Sequence, residues 1–277
     1  MNMNTHAFPS MPRLFAMALA TCLALAASAP SHAIVYGQAD GNRHPSVGSL
    51  VFLHPQAGPV QWCSGTLIGP TTFLTAAHCT APMASMLAAN PGARFVVTFD
   101  PVIAAGGNFH DGVALTNPDY RRSPSSNDMG DIALFELDQA PPITPARLAP
   151  AGLLDALQAS GDLRNTRFTV VGYGATRDTP QGAGSGLDYG NMERRYAEQD
   201  FRALRAAAVH MAMNQANGNG GTCTGDSGGP HFLHINGQET DLVAAITMTG
   251  DVWCKALDWT YRVDAPLARA FLADHLP

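Results

Sequence analysis

The chain has 277 residues, with 16 Lys+Arg against 22 Asp+Glu for a formal net charge of −6, and it is 46% hydrophobic but only 14% charged. That length can bury a substantial core in one large domain or two ordinary ones, and the composition excludes extended disorder and coiled coil. Net acidity, the absence of any Lys/Arg run and a single lysine, Lys255, argue against a nucleic-acid surface and a polybasic membrane anchor.

The N-terminus reads first. Arg13 precedes an apolar run over 14–27, and the segment closes on Ser31-His32-Ala33. A basic start, a short apolar middle and small residues at the cleavage positions make a secretory signal, and the run falls short of the ~20 residues that span a bilayer. Residues 1–33 are therefore expected to leave as a signal peptide. The protein would then be secreted, extracellular or periplasmic, with no membrane association afterwards.

Short apolar or alternating runs follow: Val47–Leu53, Gln61–Ile68, Phe73–Thr75, Arg94–Phe99, Ile132–Leu137, Arg167–Val171, Val243–Thr247 and Trp259–Val263. Gly, Pro and Asn punctuate them, a pattern that predicts an all-β sandwich or barrel rather than a βαβ sheet. One helix is expected at the C-terminus, where Pro266 opens Pro266–His275 and Leu267 and Phe271 stand four apart. Arg202–Met213 has helical propensity inside a strand-rich chain and is ambiguous. Residues 181–186 and 217–221 read as Gly-rich loops.

Cys22 lies in the signal, leaving Cys63, Cys79, Cys223 and Cys254, an even set that suits an oxidising compartment. Three connectivities are open. Spacing favours 63–79 and 223–254, each loop worth about 3–4 kcal/mol of chain entropy. A zinc site would need CxxC-type spacing, which is missing.

Three motifs carry chemistry. Leu74-Thr75-Ala76-Ala77-His78-Cys79 sets an imidazole beside a half-cystine. Gly130-Asp131-Ile132-Ala133-Leu134 sets an acid just before an apolar strand. Thr222-Cys223-Thr224-Gly225-Asp226-Ser227-Gly228-Gly229-Pro230 sets a serine among three glycines, whose backbone can turn tightly and aim N–H groups at a developing oxyanion. Each alone has an ordinary structural explanation. Their order, His…Asp…Ser, is specific.

With these motifs, the sequence resembles the chymotrypsin/trypsin family of serine endopeptidases. The likeness runs from Ile34 to the C-terminus and includes Ile34-Val35-Tyr36-Gly37, Trp62–Ile68 and Val171-Gly172-Tyr173-Gly174, although Tyr36 stands where the family usually has glycine. A serine flanked as in Gly225, Ser227, Gly229 also marks the nucleophile elbow of α/β-hydrolases. Those place the acid and the histidine after the serine, the reverse of the order here.

The resemblance implies one domain over 34–277 made of two six-stranded antiparallel β-barrels with a C-terminal α-helix, joined near 139–154 through a Pro-rich connection. It implies Ser227 as nucleophile, His78 as general base and then acid, and Asp131 as the group orienting His78, with the Gly225 and Ser227 N–H groups as oxyanion hole. Asp128 competes with Asp131, but Met129-Gly130 after it does not read as the family's strand. No cofactor or metal is implied, and 90–113 lacks the paired acids of calcium-binding members. A polypeptide substrate, no nucleic-acid partner and a monomer are expected. The alternative is a catalytically inactive protease fold that acts as a binding protein.

By the same alignment, Gly221, Thr222, Thr249 and Asp258 form the substrate pocket. Trypsin-like members carry an acid where Gly221 stands. Asp258 either supplies charge for a basic side chain or lies screened behind Thr222 and Thr249, leaving room for small or medium uncharged residues; screening is favoured. On this alignment Arg202–Met213 is extended for part of its length. Finally, the family's activation pair would be a freed Ile34 ammonium and Asp226. Because Ile34 follows the expected signal cleavage site, export itself would create the working N-terminus.

Overall fold

Continuous buried runs, as over 47–52 and 72–75, and alternation over 195–200 and 208–211 set the strands, and their partners set the architecture. The computed structural model describes residues 34–120, 128–177 and 187–276. The signal peptide expected over 1–33 and the loop at 181–186 lie outside the described residues. Among the described residues, no helix is long and apolar enough to cross a membrane.

The first half is a six-stranded antiparallel sheet in the order β5-β2-β3-β4-β7-β6: β2 (Val47–His54), β3 (Gly58–Leu67), β4 (Thr72–Thr75), β5 (Arg94–Thr98), β6 (Gly112–Thr116) and β7 (Ala133–Leu137). Its two edges meet at one bridge, where Val97 and His110 exchange N–H···O bonds of 2.9 and 2.8 Å. The inner face is apolar, with Leu50, Leu67, Phe73, Leu74, Val97 and Leu134 fully buried.

The second half closes completely. β9 (Arg167–Gly172), β12 (Arg195–Leu204), β13 (Ala208–Met211), β16 (Asp258–Arg262), β15 (Gln238–Gly250) and β14 (Pro230–Ile235) form a ring, because β12 pairs with β13 on one side and β9 on the other. β1 (Gln38–Ala39) extends it beside β12, and β8 (Arg147–Leu148) lies parallel to β15. A separate two-stranded ladder joins β10 (Thr176–Arg177) and β11 (Leu187–Asp188). The fold is the expected all-β pair of barrels, one closed and one joined by a single bridge.

The ambiguous segment 202–213 is the β12–β13 hairpin. Its local helical propensity loses to two ladders, β12 against β13 and β13 against β16, that take its backbone groups. The C-terminal helix, Pro266–Ala273, buries Ala268, Phe271 and Leu272. Three helices were not foreseen: α1 (Ala77–Thr80), α2 (Met83–Ala89) and α3 (Leu153–Ser160). Residues 139–152 lead from β7 to α3 and carry β8, so the connection adds a strand to the second barrel.

Candidate active site

His78 stands in α1, directly after β4. Cys79 next to it is bonded to Cys63 on β3, and the Trp62 indole N–H donates to the Cys79 carbonyl at 2.9 Å, so the turn is held from two sides. Asp131 precedes β7, the strand that pairs with β4, and is 2% exposed. One of its oxygens accepts from the His78 backbone N–H and the other from Nδ1, both at 2.9 Å. A donating Nδ1 carries the ring proton, which leaves Nε2 as the basic nitrogen.

Ser227 arrives from the second barrel on the turn before β14. Gly225 has φ +98° and Gly228 φ +79°, a conformation that L side chains avoid. A Cβ at Gly228 would also fall 2.3 Å from Thr75 Oγ1, so the turn sits directly on the end of β4. The Ser64 N–H donates to the Ser227 carbonyl at 2.8 Å, and Gln61 Nε2 and Ser64 Oγ donate to the Gly225 carbonyl at 2.8 and 3.0 Å. The Thr224 carbonyl accepts from the Ala175 N–H at 2.7 Å, which turns the following Gly225 N–H the opposite way. Among the described residues, neither the Gly225 nor the Ser227 N–H has an acceptor. Unpaired N–H groups beside a cavity are rare in folded chains and make an anion-binding pair.

His78, Ser227 and Gly225 line one cavity of about 440 Å³, walled further by Trp62, Thr222, Thr224, Thr247, Met248, Thr249 and the Cys223–Cys254 disulfide. Among the described residues, no hydrogen bond joins the Ser227 hydroxyl to His78; such bonds commonly tighten only when substrate fills the site. Asp128 is engaged elsewhere, accepting from the Tyr261 hydroxyl at 2.8 Å and the Gly130 N–H at 2.9 Å.

Two further carboxylates lie deep around the cavity. Asp226 is fully buried and accepts from the Gly174 and Cys223 N–H groups at 2.7 and 2.9 Å. Burial outweighs these bonds and pushes its carboxyl up to about 7, with Asp258 adding to the rise. Asp258 is also fully buried and accepts from Gln199 Nε2 at 2.6 Å; burial pushes it up to about 6 against the opposing bonds from Gln199 and Thr222. Ile34 is fully buried against Val170 and Ala197, and the Gly221 N–H donates to the next carbonyl, that of Val35, at 2.9 Å.

Of the four pocket residues expected from the sequence, Thr222 and Thr249 line the cavity, whereas Gly221 and Asp258 do not. Two residues went unnoticed. Met213, 2% exposed, fills the space beside Gly221. His231 is fully buried with Nε2 3.1 Å from Thr247 Oγ1, and burial pushes its pKa down to about 3, so it serves as a neutral imidazole behind the cavity wall. His231 directly follows Pro230 and could have been singled out. Met213 needed the β13 register.

Comparison with known proteins follows the same geometry. The family model for trypsin matches residues 36–263. Human granzyme M is 29% identical over 61% of this chain and 62% of its own length. A trypsin of Saccharopolyspora erythraea is 29% identical over 72% of this chain and 82% of its own length. The structure of HL collagenase superposes with a TM-score of 0.63 at 17% identity, covering 88% of this chain and all of that one, a likeness of fold. With a family match across both barrels, the chain belongs to the trypsin family of serine endopeptidases.

Proposed function

We propose that the chain is an exported endopeptidase that hydrolyses polypeptides through Ser227, His78 and Asp131. The observation that carries this is the convergence at one cavity of an Asp131-held imidazole, a serine on a glycine turn and two N–H groups without acceptors. Nε2 of His78 takes the Ser227 proton as Oγ attacks the peptide carbonyl. The tetrahedral oxyanion then lies on the Gly225 and Ser227 N–H groups, each worth about 3–4 kcal/mol in the transition state. His78 returns the proton to the leaving amine, and water repeats the sequence on the acyl-enzyme.

Asp226 supports the activation expected from the sequence. A carboxylate that dry is costly to ionise, and a freed Ile34 ammonium beside it would supply the missing cation. Cleavage after Ala33 during export would create that ammonium without a second protease. The test uses protein that starts at Ile34. A fluorophosphonate probe should label it at Ser227 and abolish casein hydrolysis, and Ser227→Ala should lose both. A folded protein with no labelling would instead be a binding module, and full activity from a chain starting elsewhere would sink the activation route.

A further inference from the structure

A Cβ built on Gly221 would lie 2.3 Å from Met213 Cε, 2.5 Å from Cγ and 3.0 Å from Sδ, so the whole thioether lies along the bare face of this glycine. The same side chain belongs to a small buried cluster with Val35, Ala175, Cys223 and Cys254, and the two cysteines also line the cavity. On its other side Met213 lines a second cavity of about 480 Å³, bounded also by Tyr36, His210, Met211 and Lys255. Met213 thus lies between this second cavity and Gly221, the residue directly before Thr222 of the first cavity's wall. Asp258 lies close by: it pairs in register with Met211, two residues before Met213, and with Gly250 of the cavity wall. Its Oδ2 is taken by Gln199, and Thr222 of the cavity wall also bonds its carboxyl.

We infer that Met213 is the residue that determines which substrate side chain is accepted. It plugs the deep end of the primary cavity and separates it from Asp258, so the enzyme cuts after short uncharged side chains such as Ala and Val. A longer side chain entering beside Gly221 would have to displace the thioether. A cation could reach Asp258 only once that space is open. An unbranched methionine is suited to such a plug, because it fills an irregular gap with soft, polarisable atoms. This inference rests on the endopeptidase reading above.

Peptide-library profiling tests it, with the fluorophosphonate probe counting active sites. The unmodified enzyme should cut after Ala or Val and much less after Met, Leu or Arg. Met213→Ala should raise kcat/KM for Met- and Arg-ending substrates by about 10- to 100-fold relative to Ala-ending ones. Adding Asp258→Asn should remove the Arg gain and leave the Met gain. Met213→Val, a smaller change, should move the profile the same way by less and serves if the Ala variant does not fold. A labelled, active Met213→Ala enzyme with the parent profile would overturn the inference and leave the triad standing. So would a parent enzyme that cuts after Arg as well as after Ala. Absence of labelling in the parent would instead count against the endopeptidase reading.

Discussion

The two barrels bury different kinds of side chain. Among the described residues, the first sheet buries hydroxyls such as Ser49, Thr66 and Thr98 but a single charged type, Asp131. The second buries Arg194, Asp226, His231, Asp258, Arg262 and Asp264. The first half is therefore a neutral frame that fixes an imidazole through one carboxylate. The second stores ionisable groups whose balance depends on protons and on partners, and these groups flank the turn that carries Ser227. The residues proposed above for activation and for substrate choice all lie in or against the second half.

The largest test of this contrast is Asp131→Asn, which should lower kcat about 10⁴-fold by presenting the wrong His78 tautomer. Its melting temperature should change little, since Asn keeps an oxygen for one of the two bonds from His78; a large loss of stability would remove the contrast. In the second half, Asp226→Asn should cost about 10²–10³-fold in kcat with the triad intact, because the oxyanion turn loses its anchor. Its stability should behave in the opposite way. The Asp226 carboxyl stands near 7 against 3.8 unfolded, so the native state prefers the proton. That preference stabilises fully below pH 3.8 and is lost as pH rises towards 7. With the Ile34 nitrogen still in a peptide bond, Asp226→Asn should therefore gain stability over the parent between pH 4 and pH 8 in urea melts. An unchanged difference across that range would break the argument.

Smaller effects sharpen the comparison. Met213→Ala should destabilise by about 2–5 kcal/mol by leaving a cavity, measured by urea denaturation. His44 links the segment before β2 to the second barrel, with Nδ1 bonded to Asp40 and Nε2 2.8 Å from Glu239. Burial lowers the His44 pKa, but both carboxylates outweigh it, and the net direction is upward. The stability it lends is complete below 6.5 and lost as pH rises through the raised value. Glu239 is also penalised by burial, yet the bonds from His44 and Thr169 bring it down to about 2. Its share is present above 4.5 and lost as pH falls towards 2. His44→Gln should flatten both limbs of the stability profile, by about 1–3 kcal/mol at the maximum. By contrast, the exposed Arg147–Asp241 pair should be dispensable, with Arg147→Ala leaving the melting temperature within error.

Contiguous chemistry was legible in the sequence, and long-range packing was not. His78, Asp131 and Ser227 each sit in a short motif whose neighbours explain the local turn, and the strands around them follow from short, largely buried runs. Helix α3 was missed because its N-terminus is capped from afar, by the Asp264 carboxylate accepting from the Leu154 N–H at 2.8 Å across 110 residues. Helix α2 likewise begins at Pro82 with no side-chain cap to announce it. The end of the cavity was hidden for a related reason. Met213 and Gly221 are brought together beside β12, whose Asp200 and Glu198 carbonyls accept from the Ala212 and Gly220 N–H groups, and no spacing within Arg202–Met213 reveals those bonds.

The disulfides have a mechanical consequence. Cys63–Cys79 closes within the first half and Cys223–Cys254 within the second, so neither crosses the seam. What crosses, besides apolar packing and the Arg43 and His44 pairs with Glu239, is a set of hydrogen bonds. Ser64 is bonded to Ser227, Gly225 and Tyr173, and the Arg194 guanidinium donates to the carbonyls of Val47 and Phe99, both at 2.9 Å. Under tension applied between the halves, rupture would begin along this line, and both staples would survive. His78 and Ser227 lie on opposite sides of it, so the molecule would stop working as a cutter well before either barrel unravelled.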